Sequence, residues 1–103
     1  MTPDDTIIVH VDADLEPIIP NFLSNQQKAL ATMQAALQQR DYETLQSLGH
    51  GMKGSGGGYG FDAVTGIGSA IEAAAKVGHH EEIAVRLRSL ARYLACVEVV
   101  YDT

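Results

Sequence analysis

Apolar residues recur at helical spacing along most of this chain. From about Asn21 to Arg40, Leu23, Leu30, Met33 and Leu37 fall on one stripe, with Ala and Gln filling other positions. Asp41 suits an N-cap, Glu43 sits in the first turn, and Leu45, Leu48, Met52 and Tyr59 share the apolar face of the next helix. A turn is expected at Gly60-Phe61, with Asp62 capping a helix whose stripe is Val64, Ile67, Ile71 and Ala74 or Ala75, and which stops at Gly78. The last helix is expected from about His80 to Val100. Its residues Ile83, Leu87, Leu90, Leu94, Val97 and Tyr101 recur at alternating steps of four and three.

The N-terminal part reads differently. Ile7-Ile8-Val9-His10-Val11 has the β-branched character of a strand but no evident partner, so it is expected as an extended lead-in. Asp12 is a candidate N-cap for a short helix over about Ala13 to Ile19, interrupted by Pro20. The sum is an all-α fold, an antiparallel four-helix bundle with a short additional N-terminal helix. It forms a single domain over 1–103, with 1–11 as the lead-in and 12–101 as the helical bundle.

Composition narrows the function classes. At 103 residues and 46% hydrophobic the chain can build one core. A net charge of −6 argues against nucleic-acid binding. No apolar run approaches the ~20 residues of a membrane span. The acidic start Met1-Thr2-Pro3-Asp4-Asp5 does not read as a signal peptide, and a single thiol, Cys96, fits a cytoplasmic setting and a buried structural role. A monomer is the default expectation. No P-loop, dinucleotide fingerprint, Ser-His-Asp set or paired CxxC is present, so partner-independent catalysis is not expected. His79-His80-Glu81-Glu82 resembles a metal cluster only in composition, because adjacent helical residues point about 100° apart; a solvated helix start is the better reading, and no metal site is expected. His10 has no evident partner.

One segment departs from ordinary helix design. Residues 49–60 read G-H-G-M-K-G-S-G-G-G-Y-G, and each glycine inside a helix costs roughly 0.5–1 kcal/mol relative to alanine. Either the segment is not helical or another body must approach bare backbone. With Leu45 at 0° and about 100° per residue, His50 lies at about 140°, Gly54 at about 180° and Gly57 at about 120°, away from the core, with Lys53 bordering that face. An exposed imidazole with an empty neighbourhood and a nearby cation suits phosphoryl transfer. A neutral imidazole nitrogen is a good nucleophile, and the transfer needs chiefly positioning and charge stabilisation. Taken one at a time, His50 could be an ordinary surface histidine, Lys53 and Glu72 solvated charges, and the glycine run a flexible loop.

His50-Gly51-Met52-Lys53-Gly54-Ser55 followed by Gly60 resembles the H-x-[LM]-K-G-S…G signature of histidine phosphotransfer (HPt) domains. The resemblance extends over about 12–101. It implies that His50 is the phosphorylated residue, at Nε2, that Lys53 is the neighbouring cation, and that Gly54 is the small residue permitting docking; Gly51 and Gly57 are expected to widen the docking face. Glu72 falls where some members carry a residue that hydrogen-bonds the other imidazole nitrogen. The chain departs from the commoner Ser/Ala-rich stretch in being glycine-rich at 56–58. The implied role is a phosphoryl carrier without kinase activity in a two-component phosphorelay, working with response-regulator receiver domains and a hybrid histidine kinase. No cofactor of its own is implied, the Mg²⁺ belonging to the receiver. Two alternatives stay open. One is a non-phosphorylated helical adaptor on the same docking face, and the other is the HPt substrate domain of a larger hybrid kinase.

Overall fold

The computed structural model describes residues 6–103. The Met1–Asp5 stretch, read above as no signal peptide, lies outside them. Four helices carry the fold: α1 (Ile19–Gln38), α2 (Tyr42–Ser55), α3 (Asp62–Lys76) and α4 (His80–Cys96). Each packs on its neighbours in a closed ring, with α4 also against α1. The connections are short, so consecutive helices run antiparallel. Ile19, Met33, Leu45, Met52, Ile71, Ile83 and Leu90 meet in the interior, as the apolar stripes require.

Helix ends follow local chemistry. The Asp41 carboxylate accepts from the Thr44 amide at 3.2 Å and from the Thr44 hydroxyl at 2.7 Å, capping α2. These bonds hold its carboxyl below its usual value. Gly78 takes φ +63° just past α3, where the His79 amide reaches back to the Ala74 carbonyl at 2.9 Å. At the start of α3 the N-cap residue is Phe61, fully buried and without a capping side chain, and Asp62 lies in the first turn.

Two expectations for residues 12–20 are overturned. No additional N-terminal helix forms; Ala13–Leu15 makes only a three-residue 3-10 turn, which Asp12 caps through the Asp14 amide at 2.8 Å. Pro17 lacks the N–H that would close an α-turn onto Ala13. Pro20, near the start of α1, begins that helix where the sequence reading had it interrupt one.

The last helix ends at Cys96, and Val97–Asp102 forms strand β2. It pairs in parallel with β1 (Ile7–Asp12), in the register Ile7↔Val97 through Asp12↔Asp102. The lead-in therefore has a partner, and the helical bundle does not reach 101. Val97-Glu98-Val99-Val100-Tyr101 is a β-branched run with alternating burial, which a strand accommodates better than a helix. Ile7, Val9, Val11, Val97, Val99 and Tyr101 pack against the core. A two-stranded sheet is marginal alone and is held here by that packing.

Candidate functional site

The glycines of α2 divide into two sets. A Cβ on Gly49 would stand 2.8 Å from the Gly68 carbonyl oxygen and the Glu72 amide nitrogen of α3. A Cβ on Gly68 would stand 2.6 Å from the Met52 Cβ. Bare backbone at 49 and 68 therefore lets α2 and α3 approach more closely than side chains would permit. Gly51 and Gly54 differ, because a Cβ on either meets nothing within 4 Å. No contact among the described residues demands glycine at those two positions.

The close approach places three polar side chains together across the two helices. The Nδ1 of His50 lies 2.9 Å from Glu72 Oε2, and the Lys53 ammonium lies 3.0 Å from Glu72 Oε1. Only 11% of the Glu72 side chain is exposed, against 68% of the His50 side chain. The Lys53 hydrogen bond holds the Glu72 carboxyl below the usual carboxylate value, against burial, which pushes it up; the His50 contact adds to the lowering. A carboxylate can only accept, so Nδ1–H donates and the Nε2 lone pair is left for chemistry. Each oxygen of the nearly buried anion thus has a donor, and the imidazole is fixed in both orientation and tautomer.

Of the residues singled out from the sequence, His50, Lys53 and Glu72 meet. Gly51 and Gly54 lie on the exposed surface of α2. Gly57 lies beyond the helix end, in a 3-10 turn spanning Gly57–Tyr59, so its helical-wheel angle does not apply; a Cβ there would meet Thr65 Oγ1 at 3.4 Å. The sequence reading missed Gly68. Its signal was a glycine inside a good helical stripe that belonged to no motif.

Two of the other three histidines have partners of their own. His10 Nδ1 lies 3.2 Å from Asp102 across the strand pair, so it is not isolated. His80 is half-buried with Nδ1 3.0 Å from the Tyr42 hydroxyl, while His79 is exposed. Cys96 is buried. Among the described residues no group of three or more His, Cys, Asp or Glu could hold a metal ion. No helix among them is long and apolar enough to cross a membrane.

No curated protein and no solved structure matches the chain. A family model for the Hpt domain matches residues 18–99 of the 103, covering all four helices and the His50–Lys53–Glu72 group. The chain belongs to the Hpt domain family, the phosphocarrier domains of histidine phosphotransfer in two-component phosphorelays.

Proposed function

We propose that His50 takes a phosphoryl group from the phosphoaspartate of one receiver domain and gives it to the aspartate of another. The observation that carries this reading is the exposed His50 ring whose Nδ1 is held by Glu72 at 2.9 Å. The Nε2 lone pair attacks phosphorus, an N–P bond forms, and the P–O bond to the aspartate breaks as its carboxylate leaves. Nδ1 keeps its proton throughout, so the phosphorylated ring carries positive charge, and the Glu72 carboxylate balances it. Lys53 keeps that carboxylate ionised and aimed. Its half-exposed ammonium, one helical turn from His50, also offsets phosphoryl charge. The receiver brings Mg²⁺ and the acidic pocket. Gly51 and Gly54 leave the partner unobstructed access, with Gly57 at the rim. The chain has no kinase activity of its own in this scheme and works as a cytoplasmic monomer beside receiver domains and a hybrid kinase.

A radiolabelled phospho-receiver tests the proposal. The wild type should acquire acid-labile, base-stable label, and His50→Gln should acquire none. A wild type that takes label from no receiver of its own cell would sink it. If His50→Gln still bound receivers and signalled, the adaptor reading would replace it.

A further inference from the structure

A second feature lies across α2 from His50. Ile18, Asn21, Phe22, Asn25 and Gln26 of α1 and its approach line a cavity of about 380 Å³ together with Ser55 and Tyr59. Gln26 is only 7% exposed, and its Oε1 is a buried acceptor without a hydrogen-bond partner. Leaving such an acceptor unsatisfied is costly, so a site that keeps one calls for a donor from outside. The walls are aromatic and neutral polar. Phe22 and Tyr59 meet edge to face with centroids 5.0 Å apart, and no charged residue lines the cavity.

Its position relates it to the phosphotransfer face. At about 100° per residue, the arc around α2 from His50 to Ser55 passes Gly54 and then Gly51. These are the two glycines of α2 whose added Cβ meets nothing and which no internal packing explains. A body lying flat across that bare strip would touch the imidazole at one edge and overhang the cavity at the other.

We infer that the Gln26 cavity accepts a cationic side chain, lysine or arginine, projecting from the receiver that docks over Gly51 and Gly54, and so helps set which receivers are used. The inference rests on the phosphotransfer reading. The cation's N–H donors meet the amide oxygens of Asn21 and Asn25 and, once the Gln26 side chain turns its buried Oε1 into the cavity, that oxygen as well; its aliphatic stem lies along Ile18 and Phe22, and the aromatic faces favour its charge. The net charge of −6 favours such a partner group in the same sense.

The test measures transfer from a phosphorylated receiver to the full chain, across a range of receiver concentrations. Gln26→Leu removes the acceptor at similar volume. It should raise the half-saturating receiver concentration about tenfold, with the maximal transfer rate within about twofold and Tm no lower. Gln26→Glu should bind the same receiver at least as tightly as wild type, because a carboxylate suits a cation better than an amide does. Asn25→Leu, at the cavity mouth, should weaken docking without touching the buried position. Unchanged half-saturation in Gln26→Leu and Asn25→Leu would overturn the inference, as would equal weakening by Gln26→Leu and Gln26→Glu. Loss of transfer by wild type would count against the phosphotransfer reading itself.

Discussion

Gly68 of α3 approaches Gly49 of α2 so closely that a Cβ on Gly68 would lie 2.7 Å from the Gly49 carbonyl oxygen. The separation of these two backbones sets where Glu72, one turn further along α3, stands relative to His50. Gly68→Ala should therefore cost about 1–3 kcal/mol by overpacking and slow phosphoryl transfer as well. Gly66→Ala, two residues away where a Cβ meets nothing, should be neutral or stabilising by up to about 1 kcal/mol. Gly54→Leu should give the converse pattern, with the fold intact and transfer from the receiver blocked. Denaturant melts and transfer assays on the three variants check this.

The Glu72 carboxylate determines which imidazole nitrogen of His50 carries the proton. In Glu72→Gln the amide offers both a donor and an acceptor, so the preference for Nδ1–H should weaken and the Nε2–H tautomer should grow. Transfer should fall by about tenfold or more. Long-range ¹H–¹⁵N spectra of the imidazole read the tautomer directly. An unchanged tautomer together with an unchanged rate would show that Glu72 does not position the ring.

Acid should destabilise the fold in a defined window. Folding lowers the carboxyl values of Glu72 and Asp41 from the ordinary 4.5 and 3.8. The unfolded chain therefore binds protons first, and the stabilisation is fully present above those ordinary values. It is lost as pH falls through the lowered folded ones. Thermal melts between pH 6 and about pH 2.5 should show a decline that flattens in a Glu72→Gln, Asp41→Asn double variant.

The strand assignment of 97–102 makes its own demand. A helix carrying the stripe of Leu94, Val97 and Tyr101 would leave Val99 outside, whereas β2 packs Val99 against the core and exposes Val100. Val99→Lys should thus destabilise by about 1–3 kcal/mol, and Val100→Lys by less than about 0.5 kcal/mol. Equal effects would contradict the strand assignment and its alternating burial.

What was legible in the sequence was what is local. The histidine, the lysine one turn on and the two open glycines sit within one short helix, where periodicity alone fixes their faces. Helices α1 to α3 and most of α4 likewise follow from their apolar stripes, and the cap at Asp41 and the stop at Gly78 from local chemistry, whereas the cap expected at Asp62 is not made. Val97 and Tyr101 deceived because they satisfy both the alternating four-and-three helical spacing and a period of two, and only Val99 separates the readings. The strand's partner lies at the other end of the chain, Ile7 opposite Val97, beyond the reach of any window. The missing N-terminal helix was decided by Pro17, whose absent N–H outweighed a good cap at Asp12. Gly49 and Gly68 could not be paired in advance, since the need for glycine there arises from the contact between two helices.

The parallel clasp also constrains the order of events during synthesis. Ile7–Asp12 leaves the ribosome before any of the helices, yet its hydrogen-bonding neighbour, Val97–Asp102, is made after all four. Until then Val11, buried in the finished molecule, has no strand beside it. Helical turns form on local contacts, whereas this pairing closes nearly the whole chain into a loop, and such closures are slow. The bundle is therefore expected to assemble first around an open seam, and the nascent chain passes through a stage in which an apolar, β-branched ribbon is exposed to other proteins.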